Sequence, residues 1–413
     1  MTDLNLAREL KALLPADAAE FLRGAAAAAA ARGWRLYLVG GAVRDLLLGR
    51  SGGDLDLSVE GDAIELAEAL AASPPDVNVH HRFNTARLFW DGYVIDIARS
   101  RQETYPRPGA LPSTRPGPII QDLARRDFTI NAMAVSLNPD DFGRLIDPCG
   151  GRPDLESKLI RVLHVRSFID DATRLWRGVR YEQRLGFKIE PMTLDLLQRG
   201  LPLLETITAD RLRYELECVL KEPAPEKVFR RAGELGLLRT WHPALRSDQW
   251  LMDACSRLRS LVEQPPPEAY LALLAWRLDA SHREEFIGRL RLTKHQARAV
   301  RDAGKLVQAE ATLTAVGTKP SLVHHLLDGL VDEALTAALA AFSRGAAYYV
   351  ERFQGEWRCA APELTGEDLK RLGVSRGPDI KRLLEDLRDR RLDGPIGTRG
   401  AEEAFVRDWL AGR

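Results

Sequence analysis

The stretch LVGGAVRDLLLGRSGGDLDLSVEG, residues 38–61, decides how this chain is read. Its second half alternates. On a strand, side chains i and i+2 share a face. Leu55, Leu57 and Val59 should therefore meet a core, while Asp54, Asp56, Ser58 and Glu60 point the other way. Two carboxylates on one face repel unless a cation sits between them. Mg²⁺ takes oxygen ligands and is often held by one or two carboxylates plus substrate phosphates. Two metals roughly 3.5–4 Å apart clamp both oxygens of a phosphoryl displacement. Asp54 and Asp56 are thus the candidate metal ligands and catalytic residues. The plainer alternative is the solvated face of a half-buried strand.

The first half of the stretch raises the weight of the metal reading. WRLYLV (34–39) is a short apolar strand, Gly40 and Gly41 follow, and AVRDLLLG is a helix that Gly49 would end. Glycines let backbone amides approach an anion, and a helix N-terminus favours negative charge. Arg44, in the first turn, is placed to reach a phosphate, with Asp45 to cap or orient it. The spacing is neither GxGxxG nor GxxxxGK[ST], which argues against a Rossmann or Walker site. A phosphate cradle beside a two-carboxylate seat points to a bound nucleoside triphosphate and nucleotidyl transfer.

Working outward, DLDLSVE (54–60), ARLFW (86–90), YVIDIA (93–98) and NAMAVSL (131–137) read as strands. Asp91-Gly92 favours a tight hairpin between the second and third of these. Asp96 in YVIDIA is a third acidic candidate, either a metal ligand or a strand-face charge. Residues 101–121, RQETYPRPGALPSTRPGPIIQ, read as a long loop of functional or mobile character. From about residue 155 onward the pattern is helical with no convincing strand. QPPPE (264–268) and GTKPS (317–321) punctuate it as turns or linkers. The expected architecture is an α/β head followed by a long all-α region.

Composition bounds the rest. The 413 residues carry 59 Lys plus Arg and 59 Asp plus Glu, so net charge neither favours nor excludes a polyanionic partner. Cys149, Cys218, Cys255 and Cys359 form no CxxC pair, which excludes a thiolate zinc site and fits a reducing compartment. The N-terminus does not read as a signal peptide. The alanine run of residues 25–31 is too short to span a bilayer and reads as helix. A cytoplasmic location without membrane association is expected.

Five segments, in this order, resemble the class II CCA-adding enzymes, the bacterial tRNA nucleotidyltransferase and poly(A) polymerase family. They are GGAVRDLLLG with DLD (40–56), RRDFTINAMA (125–134), IDPCGGRPDL (146–155), DDATRLWRGVRYEQRLGF (170–187) and DRLRYELECVL (210–220). The resemblance covers roughly residues 34–220. Beyond that it rests on helical content and LTGEDLKRLGVSRGPDIKRLLEDL (364–387). It implies a polymerase-beta-like α/β nucleotidyltransferase head (1–150), then an all-α neck (151–222), body (223–330) and tail (331–413). It also implies Mg²⁺-dependent, template-free addition of C and A to the 3′ end of tRNA from CTP and ATP. Two departures stand out: Asp170-Asp171 replaces the family's Glu-Asp, and FNT (83–85) replaces its FGT.

The resemblance assigns nucleotide binding to Gly40, Gly41, Arg44, Arg126, Asp127, Asn131, Asp171, Arg174, Arg177, Arg180 and Arg211. Asp171 and Arg174, three apart, would be neighbours on one helix face. Carboxylates accept hydrogen bonds and guanidinium groups donate them. Cytosine and adenine both show an amino donor beside a ring-nitrogen acceptor, so this pair can match either. Uracil and guanine present the reverse. An ordinary surface ion pair is the alternative. Arg174, Arg177, Tyr181 and Arg184 form a stripe facing triphosphate, RNA backbone or water. Asp127 would hold a ribose hydroxyl or cap a turn. Arg211 and Arg213 would close on the triphosphate or support the base-reading helix, and Asp210 would be a helix N-cap.

The tRNA acceptor end and elbow are the expected partners. Lys370, Arg371, Arg376, Lys381 and Arg382 are candidates for the elbow contact or a solvated surface. Two alternatives stay open: an RNA-binding protein with an inactive head, and a poly(A) polymerase using the same head. The Pro-rich segment resembles A-adding members, so terminal A addition is expected, with CC addition undecided. No HD dipeptide occurs, so an appended HD phosphohydrolase is not expected.

Overall fold

The computed structural model describes residues 4–50, 54–71, 77–90, 92–315, 317–375 and 377–412, with Asp54 described in its backbone alone. Asp91 of the expected hairpin and Arg376 of the tail lie outside the described residues. The chain divides into two compact units, Met1–Glu215 and Leu216–Arg413.

The first unit is built on a sheet of β1 (Leu36–Val39), β2 (Asp54–Val59), β3 (Val77–His80), β4 (Thr85–Trp90), β5 (Tyr93–Arg99), β8 (Ala134–Ser136) and β9 (Leu145–Ile146). The spatial order is β3-β4-β5-β2-β1-β8-β9. Only β2 and β5 run parallel; the other pairs are antiparallel. The apolar alternation sets the register. Leu57 lies between Leu38 and Ile97, and Ile95 lies between Leu55 and Leu88. All of these are buried. Burying one such side chain contributes about 1.5–3 kcal/mol, so a one-residue slip, which would expose the whole row, is strongly disfavoured. Helices α1 (Ala7–Leu13) and α2 (Ala16–Ala30) precede the sheet. The expected alanine helix is α2. It packs on β1 and on α4 (Ala63–Leu70), which also packs on β4 and β5.

Between β1 and β2 lies α3 (Gly41–Leu47). Gly49 just after it has φ +69°, the left-handed conformation that ends a helix at low cost. The β4–β5 hairpin closes tightly: Trp90 pairs with Tyr93, and Gly92 has φ +81°. The FNT departure is accommodated without glycine. Asn84 takes φ +46°, accepts from the Ala63 N–H at 2.8 Å and donates to Asp62 at 2.9 Å. Asparagine is one of the few residues that tolerates this region.

Three expectations need correction. Residues 101–121 are not all loop, because β6 (Arg101–Thr104) and β7 (Ser113–Pro116) form a two-stranded hairpin, followed by α5 (Ile119–Ala124). Its inward positions are Arg101 and Glu103, so the strand carries charge where an apolar signal was sought. NAMAVSL is strand only at β8, since Thr129–Asn131 turns as a 3₁₀ helix. Strands also persist past residue 155: β10 (Leu159–Ile160) pairs parallel with β11 (Lys188–Ile189). Two residues are too few to show a period.

The remaining helices of this unit are α6 (Gly151–Glu156), α7 (Ser167–Asp170), α8 (Thr173–Leu185), α9 (Pro191–Gly200) and α10 (Ala209–Leu220), which the unit boundary crosses.

Past α10 the second unit is helical throughout its described residues. The helix Pro267–Ala275 is buried all round from Ala269 onward, as a central helix should be. QPPPE and GTKPS lead into helices: Pro267–Glu268 and Pro320–Ser321 open the next helix, and only the residues before them are turn or linker. The last segment packs Leu369, Leu383, Leu387 and Val406 around a common core. Glu402, fully buried, accepts from the backbone N–H groups of Glu363 (3.0 Å) and Leu364 (2.8 Å) and pairs with Arg391 at 3.2 Å.

Candidate active site

A cleft of about 840 Å³ opens on the first unit where the β1–α3 turn, β2, the β6–β7 hairpin, α8 and α10 converge. Gly40 and Gly41 form its edge. Gly40 has φ +68° and is the residue before α3. A Cβ there would lie 2.6 Å from Arg126 Nη1 and 3.7 Å from Asp56 Oδ2. Glycine is therefore required twice over, by its backbone and by the groups that crowd it.

Arg44, on α3, is buried and lines the cleft. It is a forked donor with three of its five N–H groups engaged. Nε and Nη2 meet the two oxygens of Asp45 at 2.9 Å each, and Nη1 meets Asn131 Oδ1 at 2.8 Å. Asp45 therefore does orient Arg44. Asn131 in turn donates to Asp127 Oδ1 at 3.1 Å. The other Asp127 oxygen receives Arg177 Nη2 at 2.7 Å. Burial alone would raise the Asp127 pKa; Arg177 and the Asn131 amide outweigh it and hold the carboxyl at about 2. Asp127 thus anchors this chain of contacts, and its Oδ1 also accepts its neighbour's backbone N–H. Of the two expected roles, the turn cap is the one seen here, made by the Phe128 N–H on Asp127 Oδ1.

Asp56 lines the cleft, and its register partner on β5 is Asp96. The two share a sheet face. Asp96 is held by Arg87 of β4 through both oxygens, at 2.7 and 2.8 Å, and does not line the cleft. It is a paired strand-face charge in this arrangement. The Asp54 side chain is not described. Among the described residues no group of three His, Cys, Asp or Glu side chains is arranged to hold a metal. The donor set still fits Mg²⁺, which accepts one or two carboxylates when substrate phosphates complete its shell. Asp56 Oδ2 stands 3.7 Å from the position a Cβ at Gly40 would take, beside the glycine turn.

The opposite wall comes from α8 and α10. Here the helix-face expectation is corrected. Asp171 has extended backbone (φ −145°, ψ 101°) after α7 and stands outside α8. Its Oδ1 accepts from the Thr173 N–H (3.0 Å), the Thr173 hydroxyl (2.8 Å) and Arg211 Nη2 (2.6 Å). Asp171 is thereby fixed by the helix start it precedes and by α10, and among the described residues its Oδ2 makes no hydrogen bond. Arg174, buried, donates to the carbonyls of Ser167 (3.4 Å) and Arg125 (2.8 Å), which leaves three N–H groups. Both line the cleft. Arg211 supports Asp171, one of its two expected roles. Asp210 is not the N-cap: α10 starts at Ala209, and Asp210 pairs with Arg213 at 3.1 Å. Of the stripe, Arg174, Arg177, Tyr181 and Arg184 all line the cleft. Arg180 does not; it is buried against the Tyr181 ring at 5.0 Å, with Arg177 and Arg44 at 5.6 and 5.7 Å.

Several lining groups escaped the sequence reading. Glu103 of β6, nearly shielded, accepts from Arg125 (2.9 Å), Arg101 (3.0 Å) and the Tyr105 hydroxyl (2.8 Å). Because Arg125 offers its carbonyl to Arg174, the hairpin is joined to the Arg174 guanidinium through two contacts. The alternation RQETY was the available signal. Arg126 is held to Asp122 at 3.1 Å. Glu215, one turn past Arg211, is buried with Oε2 unbonded; burial raises its pKa against the opposing pull of Arg177 and Arg180. Tyr214 beside it is exposed at the mouth.

Comparison with known proteins places these features. A family model described as the poly A polymerase head domain matches residues 36–161, and one described as a probable RNA and SrmB-binding site of polymerase A matches residues 186–249. An A-adding tRNA nucleotidyltransferase of Geobacter sulfurreducens is 36% identical over 89% of this chain, which spans 44% of that protein's length. An A-adding tRNA nucleotidyltransferase of Halalkalibacterium halodurans is 32% identical over 98% of this chain and 96% of its own. A solved CCA-adding enzyme in complex with ATP superposes with a TM-score of 0.82, at 32% identity, over 100% of each chain.

Proposed function

The chain belongs to the tRNA nucleotidyltransferases with a poly(A) polymerase head, and we propose that it adds the terminal A to the 3′ end of tRNA from ATP, releasing pyrophosphate. The observation that carries this reading is the convergence on one cleft of Asp56, the Gly40-Gly41 turn and the Asp171–Arg174 pair. Two curated relatives named as A-adding support the choice of base. CTP is the second candidate substrate, and CC addition is a further capacity to be measured.

In this reading Asp54 and Asp56 hold Mg²⁺. The ion, when bound, lowers the pKa of the RNA 3′-hydroxyl and neutralises charge on the departing pyrophosphate. The chain's own residues do the positioning. The glycine turn lets triphosphate oxygens approach backbone amides, with Arg44 and Arg126 behind it. Asp127, Asn131 and Arg177 form the rigid floor under the sugar, with Arg180 packed behind Tyr181. Asp171 Oδ2 accepts from the exocyclic amino group of adenine, and Arg174 donates to the adjacent ring nitrogen. A base with the reverse pattern would leave a buried carboxylate and guanidinium facing like partners. Sites built this way reject mismatches by about 10⁴–10⁵. No covalent enzyme intermediate is required. The head (1–150), neck (151–222), body (223–330) and tail (331–413) divide the labour, with the tail's basic residues, including Lys370, Arg371, Lys381 and Arg382, on the tRNA elbow. No described helix is long and apolar enough to cross a membrane; action on cytoplasmic tRNA is part of the proposed reading.

The test is incubation of the purified protein with three tRNAs, ending before, within and after CC, each with CTP or ATP and Mg²⁺. A single A on the CC-ending tRNA is expected. A long A tail would instead mark a poly(A) polymerase, and no extension of any RNA would refute the reading.

A further inference from the structure

Two antiparallel helices of the second unit, Ala280–Leu290 and Lys294–Leu313, carry an arrangement that the nucleotidyl-transfer cleft does not use. Arg283 is 92% shielded, with 8% of its surface exposed. Its guanidinium lies flush on the bare backbone of Gly304. A Cβ at Gly304 would stand 2.2 Å from Arg283 Nη1, 2.3 Å from Cζ and 2.7 Å from Nε. Any larger residue at 304 would evict the side chain.

Among the described residues the guanidinium has no counter-ion of its own. Its Nε is sealed from solvent and makes no hydrogen bond. Among the described residues the side chain forms no ion pair. The acidic group that acts on it, Asp279, does so only through space. The Asp279 oxygens are engaged by the His282 backbone N–H at 2.9 Å and His282 Nδ1 at 2.8 Å. Three other cations of these two helices are answered. Arg301 pairs with Glu284 at 2.6 Å, Lys305 with Asp302 at 2.7 Å, and Arg298 donates to the Gly329 carbonyl. Arg283 stands apart from them.

An arginine that is fixed, largely dried and unpaired is costly to keep, and it is the donor geometry that phosphate oxygens match. We propose that Arg283, seated on Gly304, is a receptor for one phosphodiester of the tRNA backbone, a contact on the helical unit separate from the catalytic cleft. The inference rests on the reading of the chain as an RNA-extending enzyme. Burial lowers the Arg283 pKa without discharging it, so the charge is available to an anion.

The decisive variant is Arg283→Met, which keeps the buried stem and removes the charge. If Arg283 served the fold, its loss would destabilise the protein. If it serves RNA, replacing an unpaired buried charge by an apolar group should hold or raise the melting temperature. Full-length tRNA binding should then weaken by about tenfold near 0.1 M salt, since hydrogen bonds to charged groups are the strong ones. The salt dependence of binding should lose about one unit of slope. Gly304→Ala, which displaces the guanidinium, should reproduce the affinity loss. Incorporation of A into a short CC-ending hairpin, added at saturation, should be unchanged in both variants.

An unaltered tRNA affinity and salt slope in Arg283→Met would overturn the proposal, as would a marked fall in melting temperature with affinity retained. A site for free phosphate or nucleotide, the other source of this chemistry, would show as weakened ATP binding with tRNA binding intact, and would also overturn it. Failure of the wild-type protein to extend the hairpin would strike the functional reading, and is distinguishable from all of these.

Discussion

Arg211 Nη2 stands 2.6 Å from Asp171 Oδ1, bridging 40 residues of chain. The bond occupies one carboxylate oxygen and fixes the direction of the other. In the proposed reading it makes α10 part of the base-reading apparatus without any need for Arg211 to touch a base.

Asp171→Ala should therefore lose selection for ATP over GTP and UTP, by about 10²-fold or more in the ratio of kcat/KM values. Arg211→Ala should lower the same ratio by a smaller factor, because Thr173 still holds Asp171. Single-turnover incorporation with each of the four triphosphates measures both. Unchanged preference in Asp171→Ala would refute the assignment.

Asp56→Asn should reduce transfer by about 10³-fold or more, the loss of several kcal/mol of transition-state stabilisation. The affinity for tRNA should stay within about twofold. Asp96→Asn should be mild by comparison, since Arg87 already holds both of its oxygens. Parallel rate and filter-binding measurements separate the two effects.

At Gly40, alanine meets both a left-handed backbone and the Arg126 guanidinium. Backbone strain alone costs about 1–2 kcal/mol. A lower melting temperature and a raised KM for ATP are expected together. A change in neither would mean that the turn relaxes freely.

The Asp127 carboxyl is held at about 2 in the fold, against about 3.9 when unfolded. A depressed folded value adds stability above the unfolded pKa and loses it as pH falls through the folded one. The difference corresponds to about 2–3 kcal/mol. The stability gap between wild type and Asp127→Asn, read from urea unfolding, should be full above pH 4 and shrink between pH 4 and pH 2. A gap independent of pH would refute the ion-pair account.

Glu402→Ala leaves the Glu363 and Leu364 N–H groups and Arg391 without their acceptor. About 2–3 kcal/mol of destabilisation is expected, with smaller loss in Glu402→Gln, which keeps an acceptor oxygen. Hydrogen exchange at the Leu364 amide is the local readout.

What could be read from the residues follows a physical line. β1, β2, β4 and β5 were legible because their inward side chains are apolar and alternate. The β6–β7 hairpin was not, because its inward positions are Arg101 and Glu103, which satisfy each other instead of a hydrophobic core. β10 and β11 are too short to have a period. At the site, the cleft's composition was visible in the motifs, while the pairing inside it was not. The motif presents Arg44 as a donor for phosphate, yet it spends three N–H groups on Asp45 and Asn131. The three-residue spacing of Asp171 and Arg174 suggests a shared helix, which the structure does not bear out. The Asp-Ala-Thr order at 171–173 was the better signal, since a short acidic side chain that bonds the backbone two residues on marks a turn before a helix. Glu103, Tyr105 and Glu215 come from chain segments whose meeting only the fold discloses.

Three of the arginines that line this cleft arrive already matched to anions: Arg44 to Asp45, Arg126 to Asp122, Arg177 to Asp127. A polyphosphate entering such a place swaps one partner for another and releases little net attraction. Its hold on what remains after the transfer is correspondingly loose. In the proposed reading, a cleft prepared in this way favours rapid departure of the spent diphosphate and readiness for the next round.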